Sequence, residues 1–215
     1  MTNPNKTSIT VILDKSGSMD PVRNDTIGGY NAFVESQKNL PGECDITLIQ
    51  FNERSSFTYK SKNINEIQQG LLKESYRPAG STALLDAIGT AITEKGKELS
   101  ELPEEQRPSK VLFVILTDGE ENCSKMYDNA KIKEMIEHQK TVYSWDFTFL
   151  GANIDTFAVA GGLGIAADKS LSFSTSKPGG MTRGLKSMSN YASATRSAAS
   201  VADVKYSSQD IKDNS

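Results

Sequence analysis

The chain has 215 residues, a length that fits one α/β domain of ordinary size and leaves too little for two full domains. Hydrophobic residues make up 37% of the chain and charged residues 24%, a composition that supplies a buried core and excludes a wholly disordered protein. The formal net charge is -3, without the basic excess that is typical of nucleic-acid-binding proteins, so nucleic acid is not an expected partner.

Short apolar runs predict five buried strands, at 8–13, 45–51, 110–117, 146–152 and 170–173. Segments with helical spacing of apolar residues lie between them, at 27–37, 84–92 and 132–136. Strands that are apolar on both faces and alternate with helices predict an α/β fold, a doubly wound and mostly parallel sheet with helices on both faces. The turn after Phe51 is too short for a crossover helix, so residues 56–59 are expected to form one antiparallel edge strand.

The last third of the chain differs in charge, because residues 169–202 contain five basic residues and no acidic one. Apolar and small residues spaced by three and four predict a final helix over 181–200 that packs on the sheet, through Met181, Leu185, Met188, Ala192, Thr195 and Ala199. We therefore expect a single domain over 1–201, with its core at about 7–173, followed by a flexible tail over 202–215.

The chain contains no long apolar segment, since its longest uninterrupted apolar run covers only residues 111–116. The N-terminal residues also lack an apolar signal region, so we expect a cytoplasmic protein that does not contact membrane. Cys44 and Cys123 fall at opposite ends of the predicted strands, which predicts two free thiols and no disulfide.

The most informative residues follow the first predicted strand. Asp14, Ser16 and Ser18 alternate along the chain, so an extended loop would direct three oxygen-bearing side chains the same way, while Gly17 lets the backbone bend. In an open parallel sheet, ligands bind beyond the carboxyl ends of the strands. These residues therefore indicate half of a cation site.

Two further loops supply oxygen ligands at the same predicted edge. Asp118 follows the strand over 110–117, and Thr82 precedes the helix that begins near Ala83. All five candidate ligands, Asp14, Ser16, Ser18, Thr82 and Asp118, are hard oxygen donors, a set that selects Mg²⁺, with Mn²⁺ or Ca²⁺ as alternatives, over zinc or copper. Asp86 is a candidate for support from behind the ligands, and Glu120 and Glu121 for the rim of the site.

The pattern Asp14-x-Ser16-x-Ser18, then Thr82, then Asp118 resembles the metal-ion-dependent adhesion site (MIDAS) of the von Willebrand factor A (VWA) family. The resemblance covers about residues 7–173 and implies a Rossmann-like VWA fold. It also implies that Ser16 and Ser18 coordinate the ion directly, that Thr82 binds directly or through water, and that Asp14 and Asp118 act through bridging waters.

The resemblance implies a binding module rather than an enzyme. Neutral hydroxyl ligands leave the cation electron-poor, so it keeps an affinity for one more carboxylate, supplied by an Asp or Glu of a partner protein. The absence of an export signal points to the intracellular microbial branch of the family, in a stress-response system of the tellurium-resistance type or in a phage.

Two other functions stay open at this point. A metal-dependent hydrolase of phosphoesters would use the same cation, but it needs a base, for which Asp86 and Glu120 are the candidates. Binding of a polyanion by the basic C-terminal segment would use Lys169, Lys177, Arg183, Lys186 and Arg196. A serine hydrolase is excluded because no nucleophile elbow is present and the only histidine, His138, falls in a polar helix.

Overall fold

The computed structural model describes residues 1–215 and contains one six-stranded sheet. Its strands are β1 (Asn3–Asp14), β2 (Glu43–Phe51), β3 (Ser55–Asn63), β4 (Pro108–Thr117), β5 (Asp146–Ala152) and β6 (Ser170–Phe173). Their spatial order is β3-β2-β1-β4-β5-β6, and every neighbouring pair is parallel except β2 and β3. The predicted fold class, a doubly wound and mostly parallel sheet with one antiparallel edge strand, is confirmed.

Six α-helices cover the sheet: α1 (Arg23–Lys38), α2 (Leu84–Glu101), α3 (Asn129–Tyr143), α4 (Thr156–Gly162), α5 (Gly180–Ser197) and α6 (Ser208–Asn214). Side chains of α1 and α5 share one core cluster with Val11 and Leu13 of β1. Ile12 faces the opposite way and joins the cluster that α2, α3 and α4 cover. Successive residues of β1 thus enter different cores, which is why the strands read as continuous apolar runs.

The antiparallel strand β3 is longer than predicted. Its exposure alternates along the strand, and its pairing with β2 shifts register twice, between Ile46 and Leu48 and between Leu48 and Ile49. Its last residues, Lys60 to Asn63, are polar, so no apolar pattern marks them in the sequence.

Helix α5 packs against α1 through the predicted stripe. Met181, Leu185, Met188 and Ala192 are all buried, and a Cβ at Gly29 of α1 would lie 2.5 Å from Cδ1 of Leu185, so the missing side chain allows the close approach. The helix ends at Ser197, and Ala199, which was assigned to the stripe, lies beyond it and is exposed.

The C-terminal residues 202–215 differ from the flexible tail that the sequence predicted. Tyr206 is buried, its hydroxyl lies 2.8 Å from the Thr148 Oγ1, and its amide donates to the carbonyl of Asp168. Ser207 and Asp210 then form a capping box that begins α6, which contacts α5 and β6. A flexible tail was expected because most residues of this segment are charged or polar, and the capping box was not identified in the sequence.

Two further expectations concern the thiols and the membrane. Cys44 and Cys123 are both free thiols, the first buried at the start of β2 and the second in the loop after β4. None of the helices has the length and apolar character that crossing a bilayer requires.

Candidate metal site

Strand order reverses between β1 and β4, and this is where the candidate site lies. β2 and β3 continue the sheet on one side of the pair and β5 and β6 on the other, so a crevice opens beyond the carboxyl ends of β1 and β4. Asp14 is the last residue of β1, and Leu13 pairs with Leu116 near the end of β4. The first and last predicted ligands, Asp14 and Asp118, therefore meet at one edge.

Asp14 is fully buried and connects the two strands. Its Oδ1 accepts a 2.6 Å hydrogen bond from the Ser16 amide, which folds the following loop back over the strand end. Its Oδ2 accepts from the hydroxyl of Thr117 at 2.5 Å. The two carboxylate oxygens thus hold the loops that carry Ser16, Ser18 and Asp118.

The two serines of the loop after β1 lie side by side. Ser16 Oγ and Ser18 Oγ are 3.0 Å apart, and Ser18 Oγ donates a 2.6 Å hydrogen bond to Oδ1 of Asp118. Met19 follows with no exposed surface, so its side chain anchors the loop in the core while Ser18 stays exposed. This anchoring positions the serines without using their hydroxyls.

Thr82 reaches the site from the loop before α2. That loop is fixed to the first one, because the Gly17 amide donates to the carbonyl of Gly80 at 3.0 Å. Asn122, from the loop after β4, accepts from the Thr82 amide and donates its own amide to the Thr82 carbonyl. Three separate loops are thereby tied to one another by backbone hydrogen bonds.

Gly119 shows how closely the hydroxyls converge. A Cβ built on this glycine would lie 3.2 Å from Thr82 Oγ1, 3.5 Å from Ser18 Oγ and 3.9 Å from Ser16 Oγ. The three hydroxyl oxygens therefore surround one small space next to Asp118. The structure brings together all five residues that the sequence predicted as ligands.

Several supporting residues were not predicted. Thr117 binds Asp14, as described above, and Tyr76 donates a 2.7 Å hydrogen bond to the Asp14 carbonyl. Thr117 could have been found as a second polar residue at the end of β4, whereas Tyr76 and Asn122 lie in irregular loops whose path the sequence does not indicate.

The acidic residues near the site have structural partners. Asp86 accepts from the amides of Lys125, Met126 and Tyr127, so it holds the loop after β4 against α2. Glu121 accepts from the amide of Leu85 at the start of α2 and from those of Cys123 and Ser124. Glu121 is therefore a helix cap and loop anchor rather than the rim acid that the sequence suggested, while Glu120 is exposed.

Burial changes the acidity of both site carboxyls. It raises the pKa of Asp14 from its usual value near 3.8 to about 6, although the hydrogen bonds from Thr117 and Ser16 act in the opposite direction. Burial likewise raises the pKa of Asp118, against the bond from Ser18. Burial therefore disfavours the charged form of both carboxyls. A cation bound close to them would stabilise that charged form.

The donor set fits a hard divalent cation. Every candidate ligand atom is a hydroxyl or carboxylate oxygen, and neither His nor Cys takes part. In an Mg²⁺ octahedron with bonds of about 2.1 Å, adjacent ligand oxygens are about 3.0 Å apart. The Ser16 and Ser18 oxygens have that separation, 3.0 Å.

The basic residues of the C-terminal segment do not gather beside this site. Arg196 donates to the carbonyls of Gln37, Pro41 and Gly42, and Lys169 pairs with Asp146 at 2.6 Å. Lys177 and Arg183 also donate to backbone carbonyls. Four of the five residues proposed for polyanion binding thus have partners within the chain.

No family model and no curated protein matches this sequence. Among solved structures, the fold is similar to proximal thread matrix protein 1 from the mussel byssus (12% identity, TM-score 0.58, covering 89% of this chain and 47% of that one). A second structure of the mussel protein, described with a zinc-occupied MIDAS motif, gives 14% identity, a TM-score of 0.57 and coverage of 89% and 47%. The fold is also similar to that of a von Willebrand factor type A protein from Catenulispora acidiphila, with 14% sequence identity and a TM-score of 0.55. This match covers 88% of this chain and 43% of that one.

The chain spans about half the length of these solved structures. At such low identity the likeness establishes the fold alone. The predicted Rossmann-like VWA fold is confirmed on this basis.

Proposed function

We propose that this chain is a metal-dependent protein-binding module. A divalent cation, Mg²⁺ in our proposal, is held by the hydroxyls of Ser16, Ser18 and Thr82, with Asp14 and Asp118 supporting it. A Glu or Asp side chain of a partner protein then completes the coordination. The observation that carries the proposal is the convergence of the three hydroxyl oxygens beside Gly119.

The balance of charge favours binding of a carboxylate. Two acidic side chains compensate a divalent cation only when both are close, and direct coordination by hydroxyls keeps the charge available for an outside ligand. The zinc ion that occupies the MIDAS motif of the mussel protein with the same fold supports a metal at this position. The 3.0 Å separation of the serine oxygens, here a hydrogen bond, equals the spacing of adjacent ligands around Mg²⁺.

The hydrolase alternative has less support in the geometry. Its first candidate base, Asp86, uses its carboxylate to bind three backbone amides, an arrangement that suits an anchor better than a proton acceptor. Its second candidate, Glu120, is exposed and no hydrogen bond holds it toward the ligands.

A peptide titration followed by two-dimensional NMR tests the proposal. The probe is an acetylated Gly/Ser peptide with a single Glu, and the matched control carries Gln instead. We expect the Glu peptide to shift the amide signals of Gly17 and Gly119 in Mg²⁺ and to lose this effect in EDTA, while the Gln peptide has none. Equal shifts with and without Mg²⁺ would contradict the proposed binding function. In a separate assay, Mg²⁺-dependent turnover of p-nitrophenyl phosphate that is lost in Asp14→Ala would favour the hydrolase.

A further inference from the structure

A polar surface cavity of about 390 Å³ is lined by residues that neighbour two of the candidate ligand loops in the chain. Its walls consist of five charged residues and one proline, namely Asp20, Arg23, Lys73, Glu74, Arg77 and Pro78. Asp20 follows Ser18 by two residues, a chain distance of at most about 7 Å, and Pro78 precedes Thr82 by four. The residues that line the cavity therefore belong to segments continuous with two of the three loops that supply the metal ligands.

Three cations in this cavity have no acidic partner. Arg23, Lys73 and Arg77, which we call the basic cluster, take no part in the ion pairs of the chain. The Arg23 guanidinium donates to the carbonyl of Lys73, but its Nε is buried and has no acceptor. A buried N–H of a cation without an acceptor is unfavourable, so Arg23, which lines the cavity, has an unsatisfied donor.

The surrounding charges leave the cavity positive. Asp20 and Glu74 also line it, and both are exposed, so the three cations exceed the acids by one. Arg23 is also the first residue of α1, whose N-terminal end adds a partial positive charge.

A second basic cavity lies at the opposite end of the sheet, but its lysines have hydrogen-bond partners within the chain. Its volume is about 680 Å³, and its lysines Lys110, Lys140 and Lys169 donate to the carbonyls of Arg196, Gly164 and Val201. The first of these carbonyls lies in the last turn of α5, where a cation stabilises the helix end. No such carbonyls account for Arg77 or the Lys73 ammonium.

The loop that carries the basic cluster is also held in place relative to the metal site. Tyr76, between Lys73 and Arg77, is buried and donates its hydroxyl to the Asp14 carbonyl. This contact ties the segment that carries Lys73 and Arg77 to the end of β1, where the first metal ligand lies.

We propose that the basic cluster binds a second acidic side chain of the same partner that supplies a carboxylate to the metal. This inference rests on the proposed function and narrows the partner to a segment with two acidic residues. The chain distance of at most about 7 Å between Ser18 and the cavity-lining Asp20 corresponds to about two residues of extended peptide, so spacings of two to four positions between the acidic residues are the ones to compare. Two anchoring points would also fix the direction in which the segment crosses the site.

The test compares Gly/Ser peptides with one Glu and with two Glu separated by two, three or four positions, titrated in Mg²⁺ and in EDTA by NMR. We expect the best two-Glu peptide to bind about 3- to 10-fold more tightly than the one-Glu peptide in Mg²⁺ at low salt. In the Lys73→Ala/Arg77→Ala variant, the two-Glu peptide should bind at most about twofold more tightly than the one-Glu peptide. The affinity of the one-Glu peptide should be the same as for wild type. Both residues are exposed and their side chains make no hydrogen bond, so the variant should fold.

The matched control is Lys62→Ala/Lys212→Ala, which removes the same charge from exposed positions on β3 and α6. It should keep the full advantage of the two-Glu peptide. The inference is overturned if two Glu residues bind no more tightly than one, or if the advantage survives in Lys73→Ala/Arg77→Ala. Failure of the proposed function is a separate result, in which the one-Glu peptide binds equally in Mg²⁺ and EDTA.

Discussion

Gly119 has no side chain at the one point where a methyl group would meet three hydroxyl oxygens. A Cβ there would lie 3.2 to 3.9 Å from the oxygens of Thr82, Ser18 and Ser16. The backbone at Gly119 does not require glycine, because its φ is not positive. The proposed cation site thus gives a physical reason for glycine at this position, namely space between the hydroxyls rather than chain flexibility.

We expect Gly119→Ala to weaken Mg²⁺ binding at least about tenfold while changing the stability of the metal-free protein by less than about 1 kcal/mol. The measurement is the Mg²⁺ dissociation constant by calorimetry, with urea unfolding as the check on folding. Gly96→Ala is the matched control, since a Cβ in the middle of α2 would meet no atom within 4 Å. Unchanged Mg²⁺ affinity in Gly119→Ala would contradict this account of the site.

Asp14 is a charged group placed where ionisation is unfavourable. Its pKa is about 6 in the folded chain and near 3.8 when exposed, so the folded state holds the proton more tightly than the unfolded state. The metal-free protein should therefore lose stability as the pH rises from about 4 to above 6, by about 3 kcal/mol from this group. A bound cation would offset this cost at neutral pH.

Asp14→Asn tests this directly, because the amide is neutral and keeps one acceptor for the Ser16 amide. In EDTA at about pH 8 we expect the variant to be more stable than wild type by up to about 3 kcal/mol, and at about pH 4 the two should be nearly equal. Urea unfolding at both pH values provides the measurement, and added Mg²⁺ should stabilise wild type only. A variant that is less stable than wild type at about pH 8 would show that the buried charge is compensated in another way.

At this scale the convergence of the five candidate ligands could be predicted, because four of them follow strand ends, Thr82 precedes a helix, and all five carry oxygen donors. Thr117 was missed because it reads as the last residue of a buried strand, and Tyr76 because its contact spans 62 residues. Long-range hydrogen bonds from loops leave no periodic pattern in the sequence.

At the scale of elements, the end of the chain shows where composition misleads. Residues after Val201 are mostly polar, yet Tyr206 packs with its ring centroid 4.9 Å from that of Tyr191, and Asn190 donates to Asp210 of α6. Four buried residues, Val204, Tyr206, Asp210 and Asn214, together with one capping box order the segment.

We expect Tyr206→Ala to lower the free energy of unfolding by about 3 to 5 kcal/mol, since it removes a buried aromatic ring and its contact with Thr148. Lys205→Ala, at the exposed neighbouring position, should change it by less than about 0.5 kcal/mol. Urea denaturation measures both. A Tyr206→Ala variant as stable as wild type would restore the original expectation of a flexible tail.

The strands and most helices could be predicted because their apolar spacing is regular, whereas the segment between β3 and α2 could not. Its large buried side chains, Ile64, Ile67, Leu71 and Tyr76, are spaced by three, four and five positions. This spacing matches no regular element, and the segment is an irregular loop apart from one 3₁₀ turn. Its course depends on the tertiary contacts of the finished fold.

At the scale of the whole molecule, the sheet and the site have one cause. The chain leaves β1 to build β2 and β3 on one side and returns through β4 to build β5 and β6 on the other. The loops at that reversal diverge and leave a crevice, into which the ends of β1 and β4 bring Asp14 and Asp118. The order of the strands therefore makes the proposed cation site possible, and we expect the loop residues to determine which ion and partner it suits.

The most direct test of the central claim is a calorimetric titration of Mg²⁺ into the metal-stripped chain. The account predicts saturable binding at about one equivalent, weakened at least about tenfold in Ser18→Ala and unchanged in Ser208→Ala, an exposed serine on α6. Absence of binding by wild type, or equal binding by wild type and Ser18→Ala, would contradict the claim that these loops hold a cation.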